Sequence, residues 1–208
     1  MKHFLQFAIG LSLLVSLPVF AAGDANAGQA KVAICAACHG ADGNSVVANW
    51  PKIAGQHASY LERQLGLIKN GGREVPEMTG FVMGLSDQDI ADIAAYYAGQ
   101  KSKPGLTDAA LLASGEQLYR AGNSLTDVPA CMACHGPAGK GNPLAVYPAV
   151  AGQHSVYTEK MLKSFRAGSM WGEDDAASKI MTDVTLRLTD AEIKAVASYI
   201  QGLHTAGE

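Results

Sequence analysis

The chain has 208 residues, of which 48% are hydrophobic and 17% charged, and its formal net charge is −3. That balance describes a globular chain and excludes a disordered one. No basic cluster stands out, which argues against a nucleic-acid partner.

The first segment reads as an export signal. Lys2 and His3 form a short polar start, and an apolar run follows from Phe4 to Val15 and on through Leu17-Pro18-Val19-Phe20. Val19-Phe20-Ala21 fits a small-residue cleavage site, so residues 1–21 are expected to be a signal peptide and Ala22 the start of the mature chain. The run is a little short for a membrane span, and Pro18 with Ala21-Ala22 looks like processing; a retained anchor is the alternative. Removing the signal takes away one lysine and leaves fifteen basic and nineteen acidic residues, a net of −4. Such a surface favours partners with basic docking patches.

Beyond the signal the chain repeats itself at a period near 100 residues. Cys35-Ala-Ala-Cys38-His39-Gly40 recurs as Cys131-Met-Ala-Cys134-His135-Gly136. Trp50-Pro51-Lys-Ile-Ala-Gly55-Gln56-His57 recurs as Tyr147-Pro148-Ala-Val-Ala-Gly152-Gln153-His154, and Tyr60 matches Tyr157. The offset grows from 96 at the cysteines to 103 between Met78 and Met181. Insertions are therefore expected at Ala121–Ala130 and near Trp171–Ser178, where Gly172-Glu-Asp-Asp reads as a surface loop. Two domains follow, residues 22–103 and 104–208, joined in the Pro- and Gly-containing stretch Gln100–Thr107.

The elements predicted in chain order are all helical. One helix spans about 24–36 and ends at the first cysteine motif, and another spans about 58–69 before Asn70-Gly71-Gly72. From Ser86 to about Gly99, Ile90, Ile93, Ala94 and Tyr97 share a helical face. In the second half Thr189-Asp-Ala-Glu192 is a capping box, with Ile193, Val196, Ala197 and Ile200 as its apolar face. Ser86 and Asp89 form a weaker version of the same cap. Alternating β-branched runs are scarce, so no sizeable sheet is expected. Half a chain is a small core for an independent domain, and a buried cofactor would supply the missing apolar surface.

Four cysteines in an exported chain would ordinarily suggest disulfides, but their spacing points elsewhere. Positions i, i+3 and i+4 share one helical face. Cys35, Cys38 and His39 occupy that pattern, as do Cys131, Cys134 and His135. Two thiols on one face can each form a thioether with a haem vinyl group, placing the adjacent imidazole under the iron; this is the spacing of c-type haem attachment. A redox dithiol or a four-cysteine zinc site is the rival reading, yet neither requires a histidine directly after the second cysteine, twice.

The repeat also sorts the seven methionines. Met78 and Met181 each lie seven residues before the leucine that opens the last helix of their half, Leu85 or Leu188. They are the expected sixth ligands, opposite His39 and His135. Met83 aligns with Leu186 and reads as core. Met132 is badly placed between two cysteines, and gap filling is the plainer use of any methionine. A His/Met pair raises a haem's potential and fills both axial positions, which suits electron transfer and leaves no iron site for a substrate. His57 and His154 follow Gly-Gln at helix starts and read as capping or surface groups. The carbonyls of Pro51 and Pro148 are candidates to accept from the ligand histidines. Trp50, Tyr60, Tyr147 and Tyr157 are expected to pack around the haems, and Arg73 is a candidate partner for a propionate.

Taken together, the doubled Cys-x-x-Cys-His motif, the paired Pro…Ala-Gly-Gln segments, Met78 in Glu-Met-Thr-Gly and Met181 in Lys-Ile-Met resemble cytochrome c4. The resemblance covers nearly the whole mature chain. It implies two tandem class I cytochrome c domains related by a pseudo-two-fold axis, each with one covalent haem c, their propionates meeting across the interface. It further implies a periplasmic carrier, in some members loosely associated with the membrane. Such a carrier takes electrons from a quinol–cytochrome c reductase and delivers them to a haem-copper oxidase. Two alternatives stay open: an enzyme such as a di-haem peroxidase or a sulfur-compound oxidoreductase, and a haem subunit of a larger oxidoreductase.

Overall fold

The computed structural model describes residues 22–172 and 175–204. The expected signal segment 1–21, together with Glu173 and Asp174 of the expected surface loop, lies outside the described residues. None of the described helices is long and apolar enough to cross a membrane.

The first half is built from α1 (Ala25–Lys31), α2 (Ala33–His39), α3 (Ala58–Lys69), α4 (Pro76–Val82) and α5 (Asp87–Ala98). The second half repeats them one for one as α6 (Leu112–Ala121), α7 (Met132–His135), α8 (Ser155–Arg166), α9 (Ala176–Thr185) and α10 (Asp190–Gly202). The expectation of an all-helical chain holds: among the described residues only two isolated β-bridges occur, Asn123 with Val128 and Asn142 with Tyr147. Both close short loops that the second half carries.

Local chemistry sets the last helix of each half. Ser86 Oγ accepts from the Asp89 N–H at 3.1 Å, while Asp89 accepts from the Ser86 N–H at 2.8 Å. Thr189 and Glu192 repeat the exchange at 3.2 and 2.8 Å. Each box satisfies backbone donors that the helix itself leaves unpaired. The predicted apolar faces are the ones buried: Ile90, Ile93, Ala94 and Tyr97 on α5, and Ile193, Val196, Ala197 and Ile200 on α10. Against α5 pack α1 and α3; against α10 pack α6 and α8.

Two expectations change. The helix read as 24–36 is broken at Val32 into α1 and α2, so the cysteine motif lies within the second helix rather than after one long helix. Val32 is itself buried in the core beside Leu61, Ile93, Ala94 and Tyr97, and the break lets it turn inward there. Met83, read as core, is 57% exposed, as is its counterpart Leu186 at 64%. Both are the C-terminal caps of their helices, α4 and α9, where the chain turns outward.

Candidate cofactor site at the junction of the halves

Cys35, Cys38 and His39 project from the single short helix α2, and Cys131, Cys134 and His135 from α7 and its N-terminal cap. Each helix stops at a glycine, Gly40 (φ 79°, ψ 154°) or Gly136 (φ 76°, ψ 162°). That backbone region is essentially closed to residues with a Cβ, which explains why a glycine follows both histidines.

The histidines are held alike. His39 Nδ1 lies 2.9 Å from the Pro51 carbonyl oxygen, and His135 Nδ1 lies 2.9 Å from that of Pro148. A carbonyl can only accept, so Nδ1 carries the proton in both rings and Nε2 keeps its lone pair. Burial pushes both imidazoles below their ordinary pKa, partly offset by the bond to the carbonyl. Two neutral imidazoles, each with a fixed tautomer and a free Nε2 lone pair, are metal ligands in waiting.

Both motifs face one continuous cavity of about 770 Å³ that spans the two halves. Met78 from α4 and Met181 from α9 line it, as do Met161 and Met170, whereas Met83 and Met132 do not. His57 and His154 also stay off its wall. Each is the N-cap residue of its helix, but neither side chain makes a capping bond; instead each reaches the opposite half, His57 Nε2 to the Lys140 carbonyl at 2.7 Å and His154 Nε2 to that of Ser45 at 2.9 Å.

The cavity fits a large apolar group that bears anions. Its walls include Leu61, Leu65 and Ile93 from one half and Leu162, Leu188 and Val196 from the other. Arg63 Nη1, Gln64 Nε2, Tyr97 Oη and Thr158 Oγ1 are buried polar atoms without a partner, and all four residues line this space. Leaving such groups unmet costs about 1–3 kcal/mol each, so a bound group with carboxylates suits them. Arg73 lines the cavity too, and its own partners are neutral. It donates to Gln64 Oε1 at 2.7 Å and to Tyr157 Oη at 2.9 Å, and its guanidinium lies 4.5 Å from the centroid of the Trp171 ring.

The rival uses of the cysteines find no geometry. None of the four cysteines pairs with another in a disulfide. Among the described residues no cluster of three His, Cys, Asp or Glu side chains could hold a metal ion. Burial pushes the Cys131 thiol up to about 11 and raises that of Cys35, opposite to the depressed pKa that makes a redox dithiol reactive.

The Gly-Gln-His triplets hold residues that the sequence reading passed over. Gln56 binds Ala149 of the opposite half through both ends of its carboxamide, and Gln153 binds Lys52 in the same way. Their recurrence in register was the available signal, but nothing in a linear pattern names a partner about a hundred residues away.

A model of the cytochrome c family matches residues 25–101 and 112–204. The cytochrome c4 of Pseudomonas aeruginosa is 50% identical over 198 residues, covering 93% of this chain and 98% of that protein. The thiosulfate dehydrogenase electron acceptor of Thiomonas intermedia is 34% identical over 206 residues, covering 96% of this chain and 93% of that protein. The crystal structure of reduced recombinant cytochrome c4 from Pseudomonas stutzeri matches with a TM-score of 0.83 at 49% identity, covering 88% of this chain and 100% of that one.

Proposed function

Because the chain belongs to the cytochrome c4 family, di-haem electron carriers with one covalent haem c in each of two cytochrome c domains, we infer that it relays electrons in the periplasm from a quinol–cytochrome c reductase to a haem-copper oxidase. Residues 1–21 would direct export and be cleaved, and the mature chain would divide at 103/104 into its two domains. Peripheral association with the membrane would bring it to those partners.

In this reading Cys35 and Cys38 hold one haem by thioether bonds, and Cys131 and Cys134 hold the other. His39 and His135 would hold the irons through Nε2, and Met78 and Met181 would hold them through their thioether sulfurs. Each bound haem supplies a one-electron iron couple. The observation that carries the assignment is the matched pair of histidines, each with Nδ1 tied to a proline carbonyl, lining the same cavity as Met78 and Met181. The protein's own work is to fix each imidazole through its proline carbonyl, so that the rings rearrange little on reduction, and to keep water from the cofactors with the apolar walls. With a histidine and a methionine both holding each iron, no position would be left to bind a substrate, which favours a relay over a peroxidase.

The test combines a pyridine haemochrome assay with the intact mass of the exported protein. Two haems on a chain lacking residues 1–21 are expected, and Met78→Ala and Met181→Ala should each remove the thioether–iron spectral signature from one haem only. A vacant coordination position on either iron in the resting parent protein would overturn the assignment.

The likeness to a thiosulfate dehydrogenase electron acceptor supports a second donor, an enzyme that oxidises sulfur compounds. Stopped-flow reduction by that class of enzyme, set against reduction by a quinol–cytochrome c reductase, separates the two sources.

A further inference from the structure

The two glutamine clamps end on the same peptide units that hold the histidines. In the first half, the Pro51 carbonyl accepts from His39 Nδ1, and the N–H of that same peptide group, on Lys52, donates to Gln153 Oε1 at 2.9 Å. In the second half, the Pro148 carbonyl accepts from His135 Nδ1, and the Ala149 N–H donates to Gln56 Oε1 at 3.0 Å. Each carboxamide is fixed in orientation by two further bonds. Gln153 Nε2 donates to the Lys52 carbonyl at 2.9 Å and Gln56 Nε2 to that of Ala149 at 2.8 Å, while the His154 and His57 backbone N–H groups donate to Oε1 at 3.0 Å.

The peptide group is conjugated, so its two ends are not independent. An acceptor on the N–H draws electron density toward the carbonyl oxygen, and linked hydrogen bonds strengthen one another. A stronger acceptor at Pro51 or Pro148 pulls harder on the Nδ1 proton and makes that imidazole more basic. A more basic axial ligand favours the oxidised iron.

We propose that Gln153 and Gln56 are crossed positioning residues, each lowering the potential of the haem held in the opposite half by polarising the peptide group that binds its histidine. Closure of the interface then sets both potentials, and each half controls its neighbour's iron. The proposal rests on the assignment of His39 and His135 as axial ligands.

The test is a spectroelectrochemical titration of the haem-loaded protein carrying Gln153→Leu or Gln56→Leu. The hyperfine-shifted ring protons of His39 and His135 assign each couple to its half; if neither ring shows such shifts, the ligand assignment fails and not the coupling. Gln153→Leu should raise the potential of the first-half couple by about 28 mV, an about threefold fall in its oxidised-to-reduced ratio at a fixed applied potential at 59 mV per tenfold for one electron, and move the second-half couple less. Gln56→Leu should do the reverse. Gln153→Glu and Gln56→Glu keep the acceptor and serve if a leucine variant does not fold; they should lower the crossed couple selectively. Equal shifts of both couples, a larger shift in the substituted half, or the same sign for Leu and Glu at one position would overturn the proposal.

Discussion

The crossing of α6 over α10 depends on the absence of a side chain at Gly115. A Cβ there would sit 2.3 Å from the Ala195 carbonyl oxygen, 2.9 Å from its carbon and 2.7 Å from the Tyr199 Cβ. Non-bonded carbon contacts settle at about 3.5–4.0 Å, so Gly115→Ala forces the helices apart by roughly 1 Å. Two of the obstructing atoms are backbone and cannot rotate away, which puts the cost near the upper end of overpacking, about 3 kcal/mol. Alanine's better helix propensity returns about 1 kcal/mol. The net loss is about 2 kcal/mol, and at about 4–8 °C per kcal/mol for a unit of this size Tm should fall by about 8–16 °C. Thermal unfolding of the haem-loaded protein by circular dichroism measures it, with Gly66→Ala as the internal control. Gly66 lies inside α3 with nothing within 4 Å of the added atom, so propensity alone acts and the variant should gain about 1 kcal/mol. A Gly115→Ala protein as stable as the parent, or stabilised like Gly66→Ala, would refute the close-contact reasoning. The matching Gly28 in the first half, where the Cβ would lie 2.0 Å from the Asp92 carbonyl oxygen, should behave like Gly115.

Tyr119 is fully buried and its hydroxyl donates to the Gly136 carbonyl at 2.7 Å, tying α6 to the residue after His135. Tyr119→Phe should cost about 1–1.5 kcal/mol in denaturant unfolding, and an unchanged midpoint would show that the bond contributes nothing. Asp92 joins α5 to α1, accepting from Lys31 Nζ at 2.7 Å and from the N–H of the α1 N-cap residue Asp24 at 2.9 Å, and it also accepts from Gln88 Nε2 at 2.8 Å. Lys31 above all, then the Asp24 and Gln88 donors, holds its carboxyl at about 2, below the ordinary value of about 3.9. The native state therefore binds this proton less readily than the unfolded chain. Its contribution is complete above about pH 4 and is lost as pH falls toward 2. Asp92→Asn should flatten the fall of Tm with pH across that window, and an unaltered slope would rule out Asp92 as a cause of acid unfolding.

Interactions that close within one helical turn were readable without coordinates. The i, i+3, i+4 placement of Cys35, Cys38 and His39, the caps at Ser86 and Thr189, and the apolar faces of α5 and α10 are all of that kind. Their geometry follows from helical spacing alone, and the doubling of the pattern revealed two modules. The histidine-to-proline bonds span twelve and thirteen residues and were legible because the repeat marked both ends. What tertiary structure alone decided joins places far apart in the chain. The break at Val32 follows from the core that Val32 must enter, and Met83 is exposed because α4 ends at the surface. Arg73 meets Tyr157 eighty-four residues away, and Gln153 meets Lys52 at a separation of 101. Composition and period specify which residues recur; only the packing of one half against the other specifies which atoms they touch.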